Sequence, residues 1–362
     1  MDRTVDHAYK FGCGRYIQSE NALEQLGAEV KRLGTKAFVV GGKRALDAAG
    51  ERCFSSLKET GCEYEAVVWP GFACLEGAEE MARKAGEAGA DVIVGVGGGR
   101  IMDFAKMIAE NAKAALINVP TVASTCAAFT PLSLVYTQEG RTIGSWFFRR
   151  EIDAVLVDET LLSTQPVRYM AAGILDSLAK KIEIGHYTAQ SDEKLPYDLA
   201  LSRVVAEHIE QELSSRWEEA ANDLALGLPT QTLKDFFYLI IPQTGIVSGC
   251  ARGAKQSALG HVLYELIRAH YPKESAHALH GEIVGVGLRM QLVYLNNPEM
   301  LRQLEAFMRR LNTPMRLEDV GVSLSDEFME RYIQYVVSIG MVPDTEAERK
   351  RIRQAMLICY GN

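Results

Sequence analysis

Histidines are concentrated in one short stretch of the sequence. Four of the seven lie between residues 261 and 280: His261, His270, His277 and His280. Asp176 lies inside a separate apolar helical stretch, where a carboxylate needs a partner. One carboxylate and two imidazoles leave a fourth position open, so Asp176, His261 and His280 would suit a catalytic Zn²⁺. Fe²⁺ and Mn²⁺ accept the same donors, and each histidine could instead be a core or surface residue.

A glycine-rich turn joins a buried strand to a helix in the segment GVGGGRIMDFAK, residues 95–106. Adjacent glycines let the backbone approach a ligand closely. The helix start adds free N–H groups and the positive end of its dipole, which suit a pyrophosphate. The spacing differs from the Rossmann fingerprint because Met102 occupies the place of the last glycine. A tight turn without a ligand is the alternative interpretation.

Two charged residues share one face of the helix that follows this turn. Asp103 and Lys106 are three positions apart, a spacing that brings their side chains together. They could form an ordinary surface ion pair. The functional interpretation is that Asp103 steadies the loop while Lys106 supports the cofactor region.

A second candidate turn follows the predicted strand over residues 36–42. The carboxyl end of a strand is the ligand-binding edge of a parallel sheet. No acidic residue is present there to bind an adenosine ribose, whereas Lys43 or Arg44 could meet a 2′-phosphate. The pattern favours NADP(H) over NAD(H), with solvated surface charge as the alternative.

The loop PTVASTCAAFTP, residues 120–131, is rich in small polar side chains. It follows a predicted strand, a position where loops commonly carry binding groups. Its hydroxyl groups could also satisfy their own backbone. The hydroxyl-bearing residues are Thr121, Ser124, Thr125 and Thr130.

Alternating apolar runs and amphipathic stretches predict an α/β fold in the first part of the chain. Strands are expected at residues 36–42, 64–69, 91–96, 115–119 and 154–158, with helices at 75–90 and 101–112. Residues 132–136 and 142–148 predict a hairpin appended to the sheet. The alternation implies a parallel sheet. Helical patterns follow, so we expect a dinucleotide-binding domain over residues 1–161 and a helical, metal-binding domain over 162–362.

The composition is that of an ordinary globular protein. The 362 residues carry a formal net charge of −8, which argues against a nucleic-acid or anionic-membrane partner. No apolar run is long enough to span a membrane, and the N-terminus lacks the apolar core of a signal peptide. Seven cysteines without C-x-x-C spacing do not suggest a disulfide framework. A cytoplasmic protein is therefore expected.

Several segments together resemble the glycerol dehydrogenase branch of the iron-containing (group III) alcohol dehydrogenase superfamily. The similarity runs along nearly the whole chain. The resemblance implies a Rossmann-like α/β domain followed by an all-α domain, the dehydroquinate synthase-like architecture, and often a homo-oligomer. Its anchors are GVGGGRIMDFAK, VPTVASTCAAFTPLSLVYT, PVRYMAAGILDSLAKKIE, GHVLYEL and LHGEIVGVG.

The resemblance also assigns roles to individual positions. It implies one divalent metal on Asp176, His261 and His280, with His270 and His277 as alternative ligands because the histidine spacing is longer than usual. It implies NAD(P)(H) contacts by residues of the glycine turn, the polar loop and the hairpin. Those residues are Gly98, Gly99, Arg100, Thr121, Ser124, Thr130, Leu132 and Tyr136.

Two departures from the glycerol dehydrogenase pattern bear on the substrate. Cys126 stands where that family has a polyol-binding aspartate, and the pattern TCAAFTPLS is similar to hydroxycarboxylate dehydrogenases, which reduce small 2-oxo acids. Lys180 lies one helical turn after Asp176, where related enzymes with four protein ligands carry a histidine. Its ammonium could hold a substrate carboxylate or simply pair with Asp176.

We therefore expect reversible hydride transfer between a nicotinamide and a small 2-oxo or 2-hydroxy acid. Cys126 would shape the pocket, since no base adjoins it in sequence to make it a nucleophile. A glycerol or other polyol dehydrogenase is the alternative. A dehydroquinate synthase-like lyase is less favoured because Glu265 stands where such lyases carry a second histidine. An inactive cofactor-binding protein would have no need of all three metal ligands.

Overall fold

The strands form in the first part of the chain. The computed structural model describes residues 8–188, 194–251 and 256–361. Within them the strands are β1 (Tyr16–Ser19), β2 (Lys36–Gly41), β3 (Glu63–Val68), β4 (Val92–Gly97), β5 (Ala115–Pro120), β6 (Leu132–Tyr136), β7 (Thr142–Phe147) and β8 (Ala154–Asp158).

Six of these strands form a parallel sheet in the order β1-β8-β5-β4-β2-β3. β2 continues to β3 on one side, whereas β4 continues to β5 on the other. The chain therefore changes direction across the sheet between β2 and β4, which end at Gly41 and Gly97. In doubly wound sheets such a switch point opens a crevice at the carboxyl ends of the strands, where ligands bind.

The edge strand β1 is absent from the predicted strands. Its four residues are only half-buried, and the segment YIQS has no apolar run or alternation to reveal it. It forms because it pairs in parallel with β8, from Tyr16 opposite Val155 to Ser19 opposite Asp158. The strand depends on a partner more than 130 positions away, so local sequence could not predict it.

The predicted hairpin forms, but its predicted place is wrong. β6 and β7 pair antiparallel in a two-stranded sheet of their own and do not extend the six-stranded sheet. The hairpin packs on the helix after β4, where Ser133 Oγ donates to the backbone oxygen of Asp103 at 3.0 Å. It therefore lies beside the glycine turn.

Helices cover the sheet and make up nearly all of the second half. Those before the last strand are α1 (Leu26–Leu33), α2 (Lys43–Glu59), α3 (Leu75–Glu87) and α4 (Gly99–Ala112). Those after it are α5 (Glu159–Leu162), α6 (Val167–Thr188), α7 (Tyr197–Leu226), α8 (Gln231–Tyr238), α9 (Thr244–Ala251), α10 (Leu259–His270), α11 (His280–Tyr294), α12 (Pro298–Arg310), α13 (Asp326–Ser338) and α14 (Glu346–Tyr360). Short 3₁₀ helices (Ala22–Gln25, Glu318–Val320) and a π-helical turn (Leu239–Gln243) complete the described elements.

Small residues let α6, α10 and α11 approach one another closely. A Cβ on Gly281 would lie 1.9 Å from the backbone oxygen of Ala172, and one on Gly287 would lie 2.7 Å from the Cα of Gly260. A larger side chain at either place would force the backbones apart. This close packing holds together the three helices that carry Asp176, His261 and His280.

The remaining sequence expectations concern thiols, membranes and domains. All seven cysteines are free, as predicted. Among the described residues, no helix combines the length and apolar character needed to cross a membrane. The last strand ends at Asp158 and helices follow. We propose the division into two domains near residue 161 on this basis.

Candidate active site

Three side chains from three helices converge in the interior. Asp176 comes from the middle of α6, His261 from the first turn of α10 and His280 from the first residue of α11. Asp176 Oδ1 lies 3.4 Å from Nε2 of His261 and 3.4 Å from Nε2 of His280. The ligand atoms all lie within 4.8 Å of one another. The donor set predicted from sequence is thus gathered in one place and suits a divalent metal ion.

The other two candidate histidines lie elsewhere. His270 Nδ1 contacts Arg331 at 2.9 Å near the surface. The ring nitrogens of His277 lie 3.1 Å and 3.0 Å from the backbone oxygens of Glu274 and Asp319. Neither belongs to the cluster found among the described residues, so the alternative assignment to these histidines is wrong.

Glu183 is a member of the site that the sequence analysis did not identify. This fully buried carboxylate accepts the backbone N–H of His261 at 2.8 Å and also contacts ring Nδ1 of His261. The sequence does contain a signal. Asp176, Lys180 and Glu183 are spaced i, i+4 and i+7, which places three charged side chains on one face of a largely apolar helix.

The charges of the cluster shift its pKa values in opposite directions. Burial opposes ionisation of Asp176, but His280, His261 and Lys180 outweigh it and hold its pKa well below the ordinary value. Burial disfavours charged His261 as well, yet Glu183 and Asp176 raise its pKa to about 9. For His280 burial prevails and lowers the pKa. The cluster without metal therefore holds one carboxylate, one imidazolium and one neutral imidazole near pH 7.

The ring of His280 has a different environment from that of His261. It meets the ring of Tyr264 edge-on, with centroids 4.2 Å apart. Its Nδ1 is buried and has no hydrogen-bond partner among the described residues. The two imidazoles are therefore held by different means, one by a carboxylate and one by an aromatic ring.

Lys180 lies beside this cluster and is only 5 % exposed. Across residues 8–188, 194–251 and 256–361, no hydrogen bond or ion pair of its ammonium is found, so the simple Asp176–Lys180 helix pair does not form. Its positive charge nevertheless lowers the pKa of Asp176. An ammonium on a buried side chain that lacks a hydrogen-bonded partner is costly, and this one is available to a ligand.

Cys126 also lies near the metal cluster. Burial, together with the charge of Asp176, raises the pKa of its thiol to about 11. The thiol is therefore protonated at neutral pH, which agrees with the expectation that Cys126 is not a nucleophile.

The glycine turn lies at the switch point of the sheet. Gly98 is the N-cap of α4, and Gly99 begins the helix. A Cβ on Gly98 would lie 3.1 Å from Val122, and one on Gly99 would lie 3.1 Å from the Thr125 hydroxyl, so the polar loop packs directly against the turn. The first N–H groups of α4 have no intrahelical acceptors and can bind phosphate oxygens. The residues present therefore fit a dinucleotide pyrophosphate.

Arg100 and Lys43, the two candidate basic residues near the crevice, differ in how they are held. The guanidinium of Arg100 lies over the ring of Phe72, 5.3 Å from its centroid, which restrains it at the start of α4. Lys43 begins α2, is exposed and pairs with Asp47 at 3.0 Å. Arg100 is therefore held near the turn, whereas Lys43 stays at the surface.

The Asp103–Lys106 pair is buried, so the surface alternative is wrong. Lys106 Nζ lies 3.0 Å from Asp103 Oδ1, and both side chains are less than 10 % exposed. It also donates to the backbone oxygens of Ala127 at 3.0 Å and Thr130 at 3.1 Å, and to that of Leu132. Lys106 thus fastens the polar loop and the hairpin to α4.

The hydroxyl groups of the polar loop are engaged in two ways. Thr125 accepts the backbone N–H of Ala127 at 3.1 Å, and the buried Thr130 donates to the backbone oxygen of Cys126 at 3.4 Å. Thr121 is half-buried and Ser124 is 9 % exposed, and neither hydroxyl forms a hydrogen bond among the described residues. Thr121 and Ser124 are thus better placed to meet a ligand than Thr130, whose side chain serves the loop itself.

Tyr136 links the hairpin to the helical half. Its hydroxyl lies 2.7 Å from that of Tyr264, one turn after His261 on α10, and both are buried. The contact joins residues 128 positions apart. This pair of hydroxyl groups is therefore one connection between the candidate cofactor region and the metal cluster.

Comparisons with known proteins agree with this geometry. A family model for iron-containing alcohol dehydrogenases matches residues 13–159. The glycerol dehydrogenase of Thermotoga maritima is 30% identical over 335 residues, which cover 87% of this chain and 85% of that protein. Hydroxycarboxylate dehydrogenase A of Escherichia coli is 29% identical over 316 residues, 86% of each chain. A probable glycerol dehydrogenase structure from Sinorhizobium meliloti 1021 has a TM-score of 0.80 at 24% identity, covering 98% of this chain and 99% of that one, which supports the fold alone.

These similarities confirm the predicted family and the predicted architecture of a parallel-sheet α/β part followed by helices. The relatives are dehydrogenases, so the protein is an enzyme that acts on CH–OH groups. Membership implies a nicotinamide dinucleotide and a divalent metal, for which the crevice and the three-residue cluster supply fitting groups. The chain belongs to the glycerol dehydrogenase-like branch of the iron-containing alcohol dehydrogenase superfamily.

Proposed function

We propose that the enzyme interconverts small 2-oxo acids and 2-hydroxy acids with NAD(P)(H). One observation carries the choice of an acid: the Lys180 side chain is buried beside Asp176, and its ammonium makes no hydrogen bond or ion pair with any described residue. A substrate carboxylate would supply that anion. Cys126 supports the same choice, because a thiol is a poor acceptor for the hydroxyl groups of a polyol.

The protein's own groups would bind and orient the reactants. Asp176, His261 and His280 would hold the divalent ion, which when bound polarises a carbonyl oxygen and stabilises negative charge on it. Lys180 would fix the acid end of the substrate beside that cluster. The glycine turn and the start of α4 would bind the pyrophosphate of the dinucleotide, whose nicotinamide supplies or takes up the hydride.

We further propose Zn²⁺ as the metal and NADP(H) as the preferred dinucleotide. Two imidazole nitrogens and a single carboxylate suit Zn²⁺. Lys43 and Arg44 are exposed at the start of α2, on the switch-point side of the sheet, with no acidic residue between them and Gly41. Kinetics with NADPH and NADH, together with elemental analysis of the purified protein, would decide both choices.

Polyol oxidation is a second candidate. The Thermotoga maritima relative at 30% identity is a glycerol dehydrogenase. The two activities differ in what they require of the pocket, since only an acid needs a cation. Purified enzyme supplied with metal and dinucleotide should reduce 2-oxobutyrate faster than it oxidises glycerol, and a chelator should abolish both. Faster turnover of glycerol would reject the acid.

Replacement of Lys180 tests the acid directly. In Lys180→Met we expect kcat/KM for 2-oxobutyrate to fall about 10- to 100-fold, the cost of one hydrogen bond to a charged group. Reduction of 1-hydroxy-2-butanone, which has no carboxylate, should change little. Loss of a cation near Asp176 should strengthen metal binding, so metal loss would not explain the result.

The neighbouring lysine provides a matched control. Lys181 lies on the same helix but pairs with Glu210 and is 32% exposed, away from the cluster. Lys181→Met should therefore leave both activities intact. If Lys180→Met reduces activity on the acid and on the uncharged ketone equally, Lys180 does not recognise a carboxylate and the proposed substrate class is wrong.

A further inference from the structure

Glu183 is a fully buried carboxylate whose hydrogen-bonding contacts among the described residues both go to His261. It lies two turns after Asp176 on α6 and is 0% exposed. One of its oxygens accepts the backbone N–H of His261 at 2.8 Å, and the other contacts ring Nδ1 of the same residue. Such a pair of contacts fixes both the backbone and the ring of His261.

The contact with Nδ1 determines which ring nitrogen can bind a metal. An ionised carboxylate can only accept hydrogen bonds, so Nδ1 of His261 must carry a proton. The lone pair of the neutral ring then lies on Nε2, the atom that is 3.4 Å from Asp176 Oδ1. The opposite tautomer would place two lone-pair bearers, Nδ1 and the carboxylate, against each other.

The contact with the backbone fixes the start of α10. His261 is the third residue of this helix, where N–H groups have no intrahelical acceptor. Glu183 supplies the acceptor from α6. Gln291 of α11 acts in the same way on Gly260, accepting its N–H at 2.9 Å and donating to the backbone oxygen of Ile182 at 3.3 Å. The first turn of α10 is therefore tied to both neighbouring helices.

We propose that Glu183 is the positioning residue of the metal site, which selects the Nδ1–H form of His261 and aims its Nε2 at the ion. His280 has no equivalent partner, since its Nδ1 is unpaired among the described residues. Of the two histidines, His261 is thus the one whose ring tautomer is fixed by a neighbouring side chain before a metal binds. The proposal rests on the metal site of the proposed function and is independent of the substrate.

Metal affinity of the purified protein tests this role without reference to activity. Metal-free protein is titrated with Zn²⁺ in competition with a chromogenic chelator at fixed pH. We expect Glu183→Gln to weaken Zn²⁺ binding about 10- to 100-fold, as replacements of residues that orient metal-ligating histidines do. An amide keeps one accepting oxygen and replaces the other with an NH₂ donor, so it loses the arrangement in which one oxygen accepts from the backbone N–H and the other from Nδ1. In the zinc-loaded wild type the protected Nδ1 proton of His261 should give a low-field resonance that Glu183→Gln loses.

Glu265 provides the charge control. It lies one turn after His261 on α10, is half-buried and bonds to Tyr335 at 3.3 Å. Glu265→Gln removes the same charge from the neighbourhood without touching the imidazole, so its affinity for Zn²⁺ should match the wild type. An equal loss of Zn²⁺ affinity in the two variants would show that Glu183 acts only through its charge, and it would overturn the proposal.

Two other results separate positioning from structure and from the metal site itself. Unchanged Zn²⁺ affinity in Glu183→Gln with a lowered melting temperature would show that Glu183 only stabilises the fold. If that variant does not fold, Glu183→Asp keeps the charge but shortens the side chain, and undiminished affinity there would overturn the proposal. Absence of Zn²⁺ binding by the wild type would instead reject the metal site proposed above.

Discussion

At the scale of single residues, the site combines groups with opposite preferences for a proton. His261 lies between two carboxylates, whereas His280 lies against Tyr264, and Asp176 favours its charged form. The same kind of side chain thus takes different protonation states a few ångströms apart. Neighbouring charge decides the state of His261, and burial decides that of His280.

Metal uptake should therefore release a proton. The pKa of His261 is raised to about 9, so at pH 7 a metal must displace its Nε2 proton, while His280 and Asp176, whose pKa values are lowered, have none to release. We expect about one proton released per metal at pH 7 and an apparent affinity that rises about tenfold per pH unit up to roughly pH 9. Calorimetric titration in buffers of different ionisation enthalpy measures the proton count.

A control and a contradicting result follow from the same balance. Above the pKa of His261 the proton release should vanish, so a titration near pH 10 provides an internal reference. Zero release at pH 7 would mean that His261 is already neutral in the metal-free protein. Burial would then outweigh the charge of Glu183 in setting the pKa of His261.

At the scale of elements, α4 shapes the candidate cofactor region through its N-terminus and through one buried side chain. Its first residues face the crevice, and its buried Lys106 holds the polar loop and β6 by three backbone oxygens. The loop has little regular structure of its own. The ammonium of Lys106 therefore takes the place of a hydrogen-bonded strand in fixing the loop.

Removal of this ammonium should destabilise the protein. In Lys106→Met, Asp103 loses its cation and three carbonyl groups lose their donor, and breaking a buried pair in this way costs about 3–5 kcal/mol. The free energy of unfolding in urea measures the loss. Dinucleotide affinity, measured by fluorescence titration, should fall as well because the loop packs against Gly98 and Gly99.

An exposed pair on the neighbouring helix gives the reference value. Lys84 and Glu80 form an i, i+4 pair on α3 at 2.9 Å, with about half of each side chain exposed. Lys84→Met should cost less than about 1 kcal/mol and leave dinucleotide binding unchanged. A comparable small loss in Lys106→Met would show that the loop holds its conformation without the buried cation.

The same elements show how far sequence reasoning reaches. β2, β4, β5 and β8 are continuous apolar runs with turn residues at their ends, so local pattern suffices to predict them. β1 and the separate position of the hairpin depend on pairing partners distant in sequence. Burial of the Asp103–Lys106 pair could not be predicted either, because it requires the loop to cover α4. Local pattern predicts elements, whereas contacts between them require the fold.

At the scale of the whole molecule, the candidate metal cluster and the candidate cofactor region come from different stretches of the chain, residues 176–280 and 95–136. Sequence analysis singled out Asp176, His261 and His280, which the fold gathers into one cluster, yet it did not identify Glu183, whose contacts form only once α6 and α10 pack together. The two regions meet where Tyr136 of the hairpin contacts Tyr264 of α10. That contact is one route by which binding at one site can affect the other.

The tyrosine pair leads to a prediction about coupling. Tyr264 packs on the candidate ligand His280. Tyr136 belongs to β6, which Lys106 of α4 holds through the backbone oxygen of Leu132. If the pair transmits binding, Zn²⁺ should tighten dinucleotide binding in the wild type by a coupling free energy of about 1–3 kcal/mol, and Tyr136→Phe should reduce that coupling. The dissociation constant of the dinucleotide is measured with and without Zn²⁺ in both proteins.

A stability effect alone would not produce this pattern. Tyr136→Phe leaves the buried Tyr264 hydroxyl without its partner, which by itself costs about 1–3 kcal/mol of folding free energy. Tyr335→Phe is the control, because it removes another hydroxyl that bonds to a residue of α10, Glu265, away from the hairpin. It should leave the coupling intact.

Because coupling is reciprocal, the Zn²⁺ affinity measured with and without the dinucleotide must give the same coupling free energy. A Tyr136→Phe protein whose coupling equals that of the wild type would show that the two halves communicate by another route, since the hydroxyl pair would then contribute to stability alone.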